Sequence, residues 1–222
     1  MRFDSLVLTA VIEEIRKDAL QKRVENIHQP LPQTIVLSMI LASDILLSIE
    51  PNAERIHLTN RKYQNPPVPS SFCMQLRKYI RGGFLRDVEQ VEWERIARLR
   101  FSQGVELVIE IMGRHSNIIL LEGGEIKGAM KLVDEKMSSK RQILPGLPYQ
   151  LPPTLTRKNP LLIGEEEMRE DLKNARGALA KVLQNLYQGM SPFLIAELLQ
   201  RAHLPAKAFL PLNEEEEKRL VI

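Results

Sequence analysis

Two short apolar runs, residues 105–111 and 118–121, flank a compact polar cluster, Glu110-Ile111-Met112-Gly113-Arg114-His115-Ser116-Asn117. Runs this short, rich in Val, Ile and Leu and bounded by turn residues, fit strands better than helices. A chain built around them must give its centre to a sheet. Gly113 permits backbone angles closed to other residues, or a close approach by another backbone. A plain turn needs only Gly, Asn and Ser. The guanidinium of Arg114 and the imidazole of His115 add donors where a phosphate or carboxylate could sit. The other reading is a β-bulge whose polar side chains satisfy their own backbone.

The flanking sequence predicts the rest of the architecture. Leu6, Ala10, Val11, Ile15 and Leu20 recur at near-helical spacing, predicting a helix over 4–20 capped by Asp4 or Ser5. Strands follow over 23–29 and 33–41, joined by Pro30-Leu31-Pro32, and over 45–50, ended by Pro51-Asn52. A rigid segment over 65–69 leads into a helix over 70–81, capped by Ser70 or Ser71 and closed by Gly82-Gly83. Residues 84–132 read as an antiparallel meander with a hairpin turn at Gly123-Gly124. Five prolines within 144–160 mark a connection, and three helices follow over 165–173, 175–188 and 192–202. Ser191 and Pro192 are a cap and first helical residue. The break at Gly189 makes the last two helices either a helix-hairpin-helix, which grips nucleic-acid backbone with its amides, or a plain αα-hairpin. The expected fold class is α+β. A mixed or antiparallel sheet lobe spans 1–150, a Pro-rich connection 151–164 and a small helix-hairpin-helix-like lobe 165–213. The start of a charged helix or coiled coil occupies 214–222, as in an amino-terminal fragment of a longer protein.

Composition removes several functional classes. No stretch approaches ~18 uninterrupted apolar residues, and Glu13 and Glu14 come too early for a secretory signal, so a cytoplasmic location is expected. The single cysteine, Cys73, makes neither an internal disulfide nor a multi-cysteine zinc site, and its helical neighbours Phe72, Leu76 and Ile80 mark it as a core residue. His28, His57, His115 and His203 form no ligand pair, and His28 and His57 read as structural residues at strand ends. Glycine-rich phosphate loops are absent. The chain is therefore read as a binding module without catalytic residues, metal or cofactor.

Charge points the same way. The net charge is only +3, but residues 61–101 carry nine Lys and Arg against four acids, and residues 127–158 carry seven against two. Two basic blocks on a nearly neutral chain form either a face for a polyanion or scattered solvated charge. Arg77, Lys78 and Arg81 follow helical spacing as a basic stripe opposite Cys73 and Leu76; Arg114 and His115 could extend the same surface. Tyr63 and Trp93 are the best candidates for stacking on a base.

Several ordered segments carry a family likeness. They are Phe3-Asp4, residues 23–30 (RVENIHQP), 55–59 (RIHLT), 72–80 (FCMQLRKYI) with Gly82-Gly83, the 110–121 stretch, Leu144-Pro145-Gly146, Tyr149 and Pro152-Pro153. Together they resemble the NFACT amino-terminal domain, the family of bacterial RqcH, whose members also go by the name fibronectin-binding protein A-like. The resemblance implies a fold like the amino-terminal domain of formamidopyrimidine-DNA glycosylases. It does not imply their chemistry, since position 2 is Arg2 rather than the proline nucleophile and the zinc-finger cysteines are missing. It implies instead a ribosome-associated quality-control factor. Such a factor binds the large ribosomal subunit obstructed by peptidyl-tRNA and recruits tRNA, alanyl-tRNA in bacteria, for carboxy-terminal tailing without messenger RNA. The family's acid–arginine pair for tRNA, usually Asp-Arg, falls on Glu94-Arg95, within what reads as a strand-like run from Val91 to Leu99. The carboxylate arm is one methylene longer here. A neighbouring acid can orient an arginine fork toward phosphate. A fibronectin-binding surface adhesin is the alternative, although no export signal is visible; a DNA glycosylase is a further, weaker one.

Overall fold

The computed structural model describes residues 3–153 and 157–221. Contacts divide the chain into two units. One comprises Met1–Leu6, Glu92–Glu94 and Thr154–Ile222; the other comprises Val7–Val91 and Arg95–Pro153.

The larger unit is built from two antiparallel meanders. Helix α1 (Ser5–Ala19) buries Leu8, Ile12, Ile15 and Ala19 along one stripe, as the spacing predicts. Strands β1 (Val24–Leu31), β2 (Thr34–Met39), β3 (Asp44–Ser48) and β4 (Arg55–Thr59) pair in sequence order. Strand β4 is not among the predicted spans, because its two apolar residues, Ile56 and Leu58, are too few to reveal an alternating pattern; it pairs with β3 from Asp44↔Thr59 to Ser48↔Arg55. His28 and His57 accordingly lie within strands rather than at strand ends. Helix α2 (Ser71–Ile80) is capped by Ser70, which accepts from the Cys73 N–H, and buries Cys73, Leu76 and Ile80. Gly82, at φ +83°, takes the left-handed angle that ends the helix. Burial raises the Cys73 thiol pKa, as expected for a core residue.

The second meander runs β5 (Leu85–Gln90), β6 (Ile96–Phe101), β7 (Val105–Glu110), β8 (Asn117–Glu122) and β9 (Glu125–Ala129), again in sequence order. Both sheets are antiparallel, which settles the choice between mixed and antiparallel in favour of the latter. Gly123 and Gly124 both have positive φ (59° and 80°), matching the right-handed twist of the hairpin they close. One face of this sheet, with Leu99, Leu107, Ile109 and Leu120, is fully buried. The other is divided. Asp87, Glu89, Arg98, Arg100 and Glu106 form an ion-pair ladder at one end, with Arg100 to Asp87 at 2.7 Å and to Glu89 at 2.5 Å. Ile96, Val108, Ile119 and Leu121 form an apolar floor at the other, on which Val133, Ile143 and Tyr149 pack.

That covering segment contains much of the predicted Pro-rich connection. Ile126 donates to Leu147, Gly146 to Ile126 and Tyr149 to Gly124, all at 2.8–2.9 Å, so the segment runs alongside β9 as an irregular extra strand. Pro145, Pro148, Pro152 and Pro153 therefore stay with the sheet unit. Proline is tolerated there because an outer segment has no further strand to donate to.

The smaller unit holds α3 (Glu165–Asn174), β10 (Gly177–Ala178), α4 (Leu179–Leu186), α5 (Pro192–Arg201), β11 (Phe209–Leu210) and α6 (Glu214–Val221). The helix predicted over 175–188 starts later, since Gly177 sits at φ +109° and the Gly177-Ala178 pair bonds to Phe209-Leu210. Ser191 caps α5 by accepting from the Leu194 N–H, with Pro192 at its start, as the sequence indicates. The Ser191 hydroxyl also donates to Asp4 at 3.1 Å. Trp93 joins the core of this unit with Leu183, Tyr187, Met190 and Leu194. Gly189, at φ +67°, fits against it so closely that a Cβ there would lie 2.7 Å from the Trp93 carbonyl oxygen and 2.9 Å from the Ser5 Cβ.

Gly189→Ala combines left-handed strain with overpacking and should destabilise by about 3 kcal/mol in urea titration. Gly104→Ala, at φ +76° with open space around it, should lose only about 1 kcal/mol; equal losses would mean that close packing is not the cause. Burial first, and then Arg77 beside His28 and Arg55 beside His57, lower both imidazole pKa values. In the unfolded chain they titrate near about 6.5, so the unfolded state binds protons first. Stability should fall as pH drops below about 6.5 and level off below the folded-state values. A urea midpoint shift between pH 7.5 and 5.5 that is no smaller in His28→Asn/His57→Gln would contradict this.

Candidate nucleic-acid interface

The β7–β8 connection is a hairpin loop, not a bulge. Its ladder ends at the Glu110↔Asn117 pair, after which Gly113, at φ +59°, opens a single 3-10 turn, Gly113–His115. The Ser116 hydroxyl accepts from the Met112 N–H at 2.8 Å. Asn117 Oδ1 accepts from the Ile118 and Lys131 N–H groups at 2.9 Å each, and its amide donates to the Lys131 carbonyl at 2.8 Å. These two side chains satisfy backbone, as one reading of the cluster required. Arg114 and His115 do not; they stand exposed at the tip, where the Arg114 Nε donates to the His115 Nε2 at 2.9 Å.

Glu110 is the unusual member. It is 1% exposed, yet it sits on the partly apolar face of the sheet. Arg141 grips it with both terminal nitrogens, at 2.5 and 3.0 Å, and the Tyr149 hydroxyl donates to it at 2.8 Å. Burial alone would lower the Arg141 pKa, but hydrogen bonding and charge attraction from Glu110 reverse the sign and raise it. Burial and the adjacent carboxylate both raise the Tyr149 phenol, so it stays a donor. The Arg141 guanidinium also lies 5.1 Å from the centre of the Tyr149 ring. A buried carboxylate thus fastens the 130–153 segment to the sheet from two points. The sequence gives no hint of this, since Glu110 reads as the end of a strand and Arg141 as one charge in a basic block.

The fastened segment and the loop enclose a cavity of about 730 Å³. Met112, Val133, Met137 and Ile143 contribute apolar wall, while Arg114, His115, Lys131 and Lys140 contribute cationic or polar lining. Lys131 and Lys140 form no ion pair among the described residues. Cations concentrated around a low-dielectric recess produce a focused positive potential.

Glu94 and Arg95 lie in the turn between β5 and β6, not in a strand. The turn is forced by Glu92 and Trp93, both left-handed at φ +49° and +54°. Arg95 is exposed, and its carbonyl accepts from the Ile111 N–H at 2.8 Å, which puts its backbone directly beside the 110–117 loop. Glu94 is half-buried. Trp93, expected to stack on a base, is instead a core residue, 9% exposed. Tyr63 is partly exposed, with the Arg61 guanidinium 5.3 Å from its ring centre.

A family model described as NFACT N-terminal and middle domains matches residues 4–221. The chain belongs to this family. It is 34% identical to the Rqc2 homolog RqcH of Bacillus subtilis over 95% of its own length and 39% of that protein's. It is 28% identical to ribosome quality control complex subunit 2 of Saccharomyces cerevisiae, over 64% of this chain and 14% of the yeast protein. The solved amino-terminal structure of a fibronectin/fibrinogen-binding protein from Streptococcus suis superposes with a TM-score of 0.84 at 31% identity, covering 98% of this chain and 83% of that one. The chain thus spans well under half the length of these curated relatives.

In this NFACT chain the basic stripe of α2 is partly committed to structure. The Arg77 Nε donates to the Ile27 carbonyl at 2.8 Å and the Arg81 Nε to the Glu25 carbonyl at 3.1 Å, both on β1. Lys78 is exposed, with its ammonium 5.5 Å from the Tyr79 ring centre. Among the seven candidate residues, Arg95, Arg114 and His115 are brought to the loop region, while Arg77 and Arg81 are tied to a strand edge.

Removing one partner of the buried pair strands the other. Glu110→Ala should destabilise by about 3 kcal/mol in urea titration and speed tryptic cleavage within 131–141. Tyr149→Phe, which loses one hydrogen bond to a charged group, should lose about 1.5–2 kcal/mol. Unchanged proteolysis in Glu110→Ala would show that the segment is held by other contacts.

Proposed function

We propose that this region is the nucleic-acid-binding part of a ribosome-associated quality-control factor. It acts at the large ribosomal subunit obstructed by peptidyl-tRNA and recruits tRNA, alanyl-tRNA in bacteria, for tailing of stalled chains without messenger RNA. Membership of the NFACT family and the names of the RqcH and yeast relatives support the setting. The observation that carries the reading is the Arg95–Ile111 hydrogen bond, which joins the arginine of the acid–arginine pair to a loop already presenting Arg114 and His115. In this scheme Arg95 grips phosphate as a planar fork, Glu94 orients it, and Arg114, His115, Lys78 and the free faces of Arg77 and Arg81 extend the contact. The helices α4 and α5, broken at Gly189, act as a helix-hairpin-helix against the nucleic-acid backbone. The region itself catalyses nothing; peptide-bond chemistry belongs to the ribosome, and the protein works in the cytoplasm without a cofactor.

A second reading follows from the description of the Streptococcus suis protein as fibronectin/fibrinogen-binding. It needs the protein on the cell exterior, so saturable fibronectin binding by intact cells would favour it.

The deciding experiment is tRNA binding across a salt series, wild type beside Arg95→Ala. Affinity should fall linearly with salt on logarithmic axes, and the variant should bind roughly tenfold more weakly, about 1.4 kcal/mol. Salt-dependent binding indifferent to Arg95 would reduce this surface to a generic polyanion face.

A further inference from the structure

We infer that the cavity beneath the 110–117 loop is a receptor for one nucleotide unit, an unstacked base with its phosphate. The inference rests on the tRNA reading above for the source of that nucleotide, and deepens it. Three features select the chemistry. The volume, about 730 Å³, falls in the range of roughly 300–1,000 Å³ in which small-molecule sites are found. The walls combine branched aliphatics with the thioethers of Met112 and Met137, soft groups that pack against aromatic faces. The same lining carries the ammonium groups of Lys131 and Lys140 and the Arg114 guanidinium, without a carboxylate to neutralise them. The only acid in the lining, Glu110, is already held by Arg141 and Tyr149. An apolar ligand would leave these cations unused, and inorganic phosphate would leave the walls unused. A planar ring bearing a phosphate uses both.

The lining also predicts low base selectivity. The polar groups that could read a base edge are engaged: Glu110 by Arg141 and Tyr149, Asn117 Oδ1 by two backbone N–H groups, and the Ser116 hydroxyl by the Met112 N–H. Recognition rests on the π-face and the phosphate, which every nucleotide has. Single-stranded loops of RNA expose such unstacked units.

The test uses the chain labelled with 13C at its methionine methyl groups. Adenosine and uridine 5′-monophosphates should shift the Met112 and Met137 signals saturably, with affinities within roughly tenfold of each other. Adenosine alone and inorganic phosphate alone should each bind at least tenfold more weakly. Lys131→Glu/Lys140→Glu should abolish the shifts without moving the urea midpoint, and Val133→Asp should do so by polarising the wall. An RNA hairpin loop shifting the same methyls at lower concentration than the mononucleotides identifies a nucleotide within a chain as the ligand; mononucleotides acting alone identify a free nucleotide. Either supports the pocket. Absence of saturable shifts with every probe, or shifts unaffected by the lysine reversals, overturns it. Loss of tRNA binding in Arg95→Ala with full tRNA binding in Lys131→Glu/Lys140→Glu overturns the pocket and leaves the tRNA reading intact. Saturable mononucleotide shifts in a wild-type chain that ignores tRNA do the reverse.

Discussion

The Glu110 carboxylate sets the terms for everything on the outer face of the second sheet. A charge placed on a surface shared with Val108 and Ile119 is expensive to desolvate, and the chain offsets that expense with a bidentate guanidinium and a phenol. Both partners come from a segment rich in proline and poor in regular structure, so the carboxylate selects one position for a stretch that packing alone would leave loosely specified. With that stretch in place, the sheet face gains a roof, and the roof and the loop leave a recess between them. Removing the acid would disturb a wall and a cavity at once.

Positive charge is sorted by the same sheet. At one end of the outer face, Arg98 and Arg100 lie among Asp87, Glu89 and Glu106, and their charges cancel within one cluster. At the other end, Lys131, Lys140 and Arg114 face no such acids. The surplus of the first basic block is thus smaller in space than in sequence. The surplus of the second is concentrated, because its lysines sit on the segment fastened by Glu110. A polyanion would meet a gradient running across one face.

Periodic apolar patterns made most of the architecture legible. α1, α2, the meander of β5 to β9 and the start of α5 all lie within a few residues of where spacing and caps put them. β4 was hidden because a five-residue strand with two apolar side chains has almost no period. The turn at Glu92-Trp93 was hidden because Val91, Trp93 and Ile96 imitate alternation, and no glycine marks the left-handed residues. Trp93 as a stacking residue failed for the same reason: its ring serves the helical unit. At the site, the Gly113 loop and the basic character of its tip were readable, whereas the pairing of Glu110 with Arg141, thirty-one residues away, depends on a tertiary path that no local pattern encodes.

The arginines of α2 have a consequence outside recognition altogether. β1 is the outermost strand of its sheet, and its exposed carbonyls would invite another chain to add a strand. Arg77 and Arg81 occupy the Ile27 and Glu25 carbonyls, and the Gly82 N–H occupies that of Val24. A helix therefore stands where a foreign strand would dock, presenting cationic side chains outward. Positive charge on this border protects the protein from self-association, so a variant neutralised here to weaken nucleic-acid binding would also become prone to edge-to-edge aggregation.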